Sequence, residues 1–210
     1  MSLIDDLNWR YACKWMNGAK VDEEKLDIIL ETIRLAPTSI GMQLFKVIVV
    51  KKDEELKTIY EKAAPRQHMI PGCSHLLVFA AYTDFDEKDI TDYTDRLGKA
   101  RGTEGEELEF YKKKYIEYAA TMDRESIPEW MAKQTYIVMA YATIAAAGLG
   151  IDCTPVEGFD PGAVDEILNL REKGLRSTLL LPLGYRDKDV DRSIGLAKVR
   201  KSKEDIFIFL

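Results

Sequence analysis

The feature that most constrains the fold is the long helical stretch over residues 127–148. Its second half, IVMAYATIAAA, is apolar on nearly every side. A helix of this length rises about 33 Å at ~1.5 Å per residue, and one apolar all round must be covered all round. The pattern therefore predicts a central, buried helix ended by Gly148 and Gly150. The nearly apolar run from Ile137 to Leu149 carries Thr143 and is too short to cross a bilayer, so its cover must be protein.

The other elements assemble around that helix. Residues 22–36 read as a helix with Asp22 as N-cap, Leu26, Ile29, Leu30 and Ile33 on one face, and Pro37 as its stop. The β-branched run LFKVIVV at 44–50 and HLLVFAAY at 75–82 read as strands buried on both faces. Residues 53–63 suggest a short helix, and 86–122 are charged and mostly helical, with Leu108, Tyr111, Tyr115, Tyr118 and Met122 as an apolar stripe. A short strand at 151–156, a short helix at 160–168 and a buried strand at 175–185 follow. Four or five strands mixed with six or more helices, without steady alternation, predict one α+β layered domain spanning residues 1–210. The apolar end DIFIFL at 205–210 reads as a strand that needs a sheet, its own or a partner's.

Composition excludes several classes. Thirty Lys and Arg against 36 Asp and Glu give a net charge of −6, no global footprint for nucleic acid. Cys13, Cys73 and Cys153 are scattered and odd in number, which suits free thiols in a reducing compartment rather than a disulfide or zinc framework. The acidic opening MSLIDDLNWR has no apolar core of a signal peptide, and a cytoplasmic, membrane-free protein is expected. His68 and His75 are the only histidines; His75 falls in a buried strand and reads as a core residue. The pair Gly148-Leu149-Gly150 follows a helix and precedes a strand, the reverse of a dinucleotide fingerprint. No P-loop, HExxH or GxSxG is present.

Four segments hold residue types that could carry chemistry. Arg10-Tyr11-Ala12-Cys13-Lys14 sets two cations four residues apart, and Lys198 and Arg200 stand on one side of an extended chain. Cations from both chain ends could converge on one dianion such as a phosphate, or stay solvated on the surface. The segment from Pro37 through Thr38, Ser39 and Gly41 to Gln43 offers hydroxyls, an amide and close backbone approach to a flat polar ligand, or is simply a helix stop. Thr154-Pro155-Val156-Glu157-Gly158 follows a short strand and could present a backbone N–H to a ligand, or be a plain turn.

Taken in order, RYACK, APTSIGMQ, EWMAKQ at 129–134, TPVEGFD at 154–160 and the closing LAKVRK resemble the nitroreductase family of FMN flavoproteins over residues 7–202. EWMAKQ and PVEGFD are especially similar to the bacterial oxygen-insensitive nitroreductases and dihydropteridine-reductase-like members. The resemblance implies a three-layer sandwich with a mostly antiparallel sheet, and an intertwined homodimer with FMN at the interface. The helix at 127–148 would supply much of that interface, and the C-terminal arm would wrap the partner.

It also implies roles. Arg10 would reach the FMN phosphate or ribityl chain, with Tyr11 and Ala12 giving backbone contacts, and Lys14 would meet the N1/O2 edge. Lys198 and Arg200 would hold the phosphate. Glu157 and Gly158 would lie beside N5, with the Gly158 N–H donating to it, and Pro155 and Val156 would also contact the cofactor. Pro37, Thr38, Ser39 and Gly41 would come from the other chain, and Gln43 would also contact the cofactor. Arg66 occupies the position of the family's pyrimidine-edge asparagine, and neighbouring Gln67 could serve instead. Tyr11, Ala12, Leu44-Phe45 and Met69 depart from the family pattern. The implied activity is ping-pong reduction of nitroaromatic, quinone or pteridine-type acceptors by NAD(P)H, without an essential protein acid or base. The alternatives are a non-catalytic FMN-binding or redox-sensing protein, and a flavin-destruction or dehalogenase-like relative on the same fold.

Overall fold

The computed structural model describes residues 2–210. The sheet has four strands in the order β1-β2-β4-β3, where β1 is Phe45–Val50, β2 His75–Tyr82, β3 Asp152–Cys153 and β4 Leu175–Gly184. Every pairing is antiparallel. Alternation along β2 sends its side chains to two cores. Leu76 and Val78 meet Leu56, Ile59 and Ala63 of α3 (Asp53–Ala63) and Val164 of α7 (Pro161–Ile167). Leu77 and Phe79 meet Leu26, Ile29 and Ile33 of α2 (Glu23–Leu35) and Val138, Ala142 and Ala146 of α6 (Ile127–Gly148). The result is an α/β/α three-layer sandwich. Helix α1 (Leu3–Trp9) packs on α6, and α4 (Glu87–Arg101) and α5 (Gly105–Ala120) form an excursion whose inner side joins Met131 and Ala132.

Element boundaries follow the sequence pattern closely for α3, β2 and α6. The stretch 86–122 is mostly helical as expected, in two helices, because Gly102 at φ +68° caps α4 in the left-handed region. Three expectations need correction. Strand 44–50 is not buried on both faces: β1 is the sheet edge, with Lys46 exposed. The 151–156 strand shrinks to β3 plus an isolated bridge between Val156 and Leu180. Residues 205–210 form no strand in this chain, and Ile208 and Phe209 are 86% and 93% exposed.

Helix α6 is buried on one side only. Met131, Thr135, Val138, Ala142 and Ala146 face the sheet, while Tyr136, Ile137, Tyr141 and Ile144 remain open. These four side chains make an apolar stripe at i, i+1, i+5 and i+8 on the open side of the helix. Among the described residues, no helix is long and apolar enough to cross a membrane.

Candidate functional site

Chain ends meet at one edge of the sandwich. After α1 the chain leaves extended at Arg10, makes a tight turn in which Cys13 N–H donates to Tyr11 O at 3.1 Å, and bends at Lys14, its direction set by neighbours on both sides. The buried Thr154 hydroxyl donates to Cys13 O at 2.7 Å. Asn17 N–H donates to Tyr185 O at 3.0 Å and Asp187 N–H to Trp15 O at 2.9 Å. Gly72 permits this approach, since a Cβ there would lie 2.0 Å from Met16 O. The returning C-terminal arm then crosses the same segment, and Lys198 Nζ donates to Arg10 O. A cavity of about 490 Å³ opens between the two, lined by Trp9, Arg10, Ala12, Arg186, Lys198 and Arg200.

The electrostatics of this cavity are lopsided. Among the described residues, Arg10, Lys14, Lys198 and Arg200 form no ion pair, whereas Arg186 is locked to Asp152 at 2.6 Å. Partial burial, then the Arg10 and Arg200 charges, push the Lys198 ammonium below its ordinary range. The Nε of Arg10 is buried without a partner. Within the cavity, Arg10, Lys198 and Arg200 with an orphaned donor and no carboxylate in the lining can receive an anion, while Lys14 stands outside it, beside Asp189 and Asp191.

The second part of the site is the loop after β3. Val156 is buried and exchanges two backbone hydrogen bonds with Leu180, which ties the loop to β4. Pro155 is exposed. Phe159 N–H donates to Glu157 O at 2.9 Å, and Gln67 Nε2 donates to Gly158 O at 2.8 Å. A Cβ at Gly158 would lie 3.0 Å from that amide, so glycine lets Gln67 close in. With both neighbouring carbonyls engaged, the Gly158 N–H has no acceptor among the described residues. The Glu157 carboxylate accepts the Tyr136 hydroxyl at 2.5 Å. That bond, followed by burial, pushes Tyr136 up to about 12.

The structure thus brings Arg10, Tyr11, Ala12, Lys14, Gln67, Pro155, Val156, Glu157, Gly158, Lys198 and Arg200 into one linked neighbourhood. It does not bring the 37–43 segment there within one chain. Ser39 N–H donates to Gln134 of α6, Gly41 (φ +73°) lies against Tyr93 of α4, and the Gln43 amide donates to Arg34 O. Pro37 is exposed, and the Thr38 hydroxyl is buried without a partner.

Several residues here gave no signal in the sequence. Asp191 and Asp152 are buried at 4% and 3% exposure. Arg186 lies over the rings of Trp9 and Tyr11, 4.5 and 4.6 Å from their centroids. Burial pushes the Asp191 carboxyl up, but hydrogen bonds from the Lys14 and Ser193 amides and the Tyr11 hydroxyl outweigh it and hold it below the usual range. Trp15 stacks on His68 at 4.8 Å and 5°, and the Tyr60 hydroxyl sits 3.1 Å from His68 Nδ1. The His75 ring is buried with Ser74 Oγ 3.0 Å from its Nδ1, a satisfied core contact. Burial pushes the Cys13 thiol up to about 12, which removes its thiolate at neutral pH.

The model of the nitroreductase family matches residues 7–185. The chain is 32% identical to the major NAD(P)H-flavin oxidoreductase of Aliivibrio fischeri, covering 99% of this chain and 98% of that protein. It is 28% identical to the oxygen-insensitive NAD(P)H nitroreductase of Salmonella typhimurium, over 95% of each. Among solved structures, a nitroreductase family protein from Streptococcus pneumoniae superposes with TM-score 0.80 at 21% identity over 100% of both chains. One from Exiguobacterium sibiricum, in complex with FMN, gives 0.83 at 18% identity over 100% of this chain and 98% of that one.

Proposed function

Because this chain belongs to the nitroreductase family, we propose that it is an FMN-dependent NAD(P)H oxidoreductase reducing nitroaromatic, quinone or pteridine-type acceptors. The observation that carries this reading is the convergence of Arg10, Lys198 and Arg200, which form no ion pair among the described residues, on one cavity, with an orphaned Arg10 Nε there and an unclaimed Gly158 N–H in the loop tied to the same segment. FMN is a ligand with a dianionic phosphate at one end and a ring accepting hydrogen bonds at the other, so the residues fit it. When bound, FMN supplies the two-electron exchange between reductant and acceptor.

The protein's part is binding and electrostatics. Lys198, Arg200 and Arg10 hold the phosphate end, which also relieves the repulsion among them. Lys14 extends its charge beside the ring edge, and Gln67 and the Gly158 amide address the ring's polar rim. Glu157 is held in place by Tyr136. The displaced 37–43 loop, the open stripe on α6 and the exposed tail support a homodimer in which each chain lends its loop and arm to the other's site. Burial of all three thiols in the free state agrees with a cytoplasmic location.

Steady-state oxidation of NADH and NADPH with a soluble quinone tests the activity. Turnover with either donor is expected. A protein that binds FMN yet gives no turnover with any of the three acceptor classes would be the non-catalytic binder instead.

A further inference from the structure

Asp191 lies in YRDKDVDRS at 185–193, a stretch that reads as a solvated turn, yet it is only 4% exposed. Its Oδ2 accepts the Tyr11 hydroxyl at 2.9 Å, the Lys14 N–H at 2.7 Å and the Trp15 N–H at 3.4 Å. Its Oδ1 accepts the Ser193 N–H at 2.8 Å, and its own N–H donates to Asp187 O at 2.9 Å. Three of the donors belong to the segment that carries Arg10 and Lys14. The fourth opens the arm that leads to Lys198 and Arg200. Asp191 itself does not line the cavity between those cations.

One carboxylate therefore joins the two cation-bearing segments. An ionised carboxylate only accepts, which matches a shell made wholly of donors. Asparagine would turn an NH₂ toward an N–H or O–H and leave at least one donor buried and unpaired. Tyr11 adds a second tie, because its ring lies on the Arg186 guanidinium while its hydroxyl reaches Asp191. Arg186 is in turn fixed by Asp152 through its guanidinium and its backbone N–H. The backbone at Lys14 is thus referenced, through Asp191, to the same arm that presents Lys198 and Arg200.

We propose that Asp191 is a positioning residue of the flavin site: its buried carboxylate sets where Lys14 meets the ring edge relative to where Lys198 and Arg200 meet the phosphate. This rests on the FMN reading above. It assigns no contact between Asp191 and the cofactor. Its effect passes through the Lys14 backbone, so the measurable consequence is a coupling between positions 191 and 14.

The test uses the full-length protein, with FMN affinity from fluorescence titration of the apoprotein and the two-electron midpoint potential of the bound flavin. The variants are Asp191→Asn, Lys14→Met, Tyr11→Phe and the pairwise combinations with Lys14→Met. Asp191→Asn is expected to weaken FMN binding by roughly tenfold to a hundredfold. Lys14→Met is expected to lower the potential in the wild-type background, and to move it by no more than about half as much in the Asp191→Asn background. Should Asp191→Asn not fold, Tyr11→Phe decides, because it keeps the ring on Arg186 and removes one donor; a weaker coupling of the same sign is expected. An effect of Lys14→Met that is the same in every background, with FMN affinity unchanged by Asp191→Asn or Tyr11→Phe, overturns the proposal even if melting temperatures fall. A wild-type protein that takes up no FMN overturns the flavin reading and this proposal with it. A wild type that binds FMN with additive effects overturns this proposal alone.

Discussion

Replacing Arg10 with glutamine separates an anion receptor from a merely structural cluster, because the first predicts a loss of ligand affinity with apoprotein stability kept and the second a loss of stability. Arg10 shares its cavity with Lys198 and Arg200, and its charge helps push the Lys198 ammonium down. Without ligand, removing the guanidinium deletes repulsion and no ion pair, since Arg10 has none. The apoprotein should then be as stable as wild type, within about 0.5 kcal/mol. With a phosphate-bearing ligand, the same change deletes a charge-assisted hydrogen bond worth ~1.5–3 kcal/mol. Arg10 is only partly buried, so solvent screening favours the lower half of that range, and FMN affinity should fall about tenfold to thirtyfold. Fluorescence titration of the apoprotein reads the affinity, and chemical denaturation reads the stability. Raising ionic strength should weaken wild-type binding more than that of the variant. Equal FMN affinity in the two proteins, or a clear loss of apoprotein stability, would refute the receptor reasoning.

Four further outcomes follow from the same geometry. Lys198 has its folded-state pKa lowered, so between that value and its unfolded value the unfolded chain holds more protons; apoprotein stability should rise as pH climbs through this window, while FMN affinity falls, both measurable by titrations toward alkaline pH. Asp152→Asn strips the Arg186 guanidinium of its carboxylate in a mostly buried setting and should cost about 3 kcal/mol in urea unfolding, since the Trp9 and Tyr11 rings still cover the charge. Deleting residues 204–210 should weaken self-association in sedimentation, and an unchanged dimer would make the arm dispensable for assembly. Cys13, with its thiol near 12, should resist iodoacetamide at pH 8 in the folded protein and react readily once unfolded.

The framework was legible where local pattern and tertiary fate coincide. In α6, length, apolar density and the closing glycines all point to one element, and its bounds follow. β2 is central, so its unbroken apolar run means what it says. β1 carries a similar run but lies at the edge, and nothing local distinguishes a face covered by its own chain from one left for another. The same ambiguity explains the tail and the outer side of α6: both look like core because they are apolar, and neither is core within one chain. Of the site, the cations and the Glu157-Gly158 turn were readable as candidate chemistry, and the family resemblance supplied their roles. Arg186 and Asp191 were not readable, because charged residues in a charged stretch look solvated, and Asp152 was not, because a lone carboxylate in a short strand carries no sign of the arginine it meets. Their burial arises only when the two chain ends meet, a non-local event with no periodicity to announce it. Tyr136 was hidden differently: it reads as one more apolar position on α6 until the 157 loop arrives beside it.

The central claim is that this chain holds FMN and reduces it with a nicotinamide donor. The most direct measurement is the absorbance spectrum of the purified protein, before and after anaerobic addition of NADH or NADPH. The account predicts flavin bands that bleach on addition of the donor. Bands that persist with both donors, or a protein that shows none even after incubation with FMN, would contradict it.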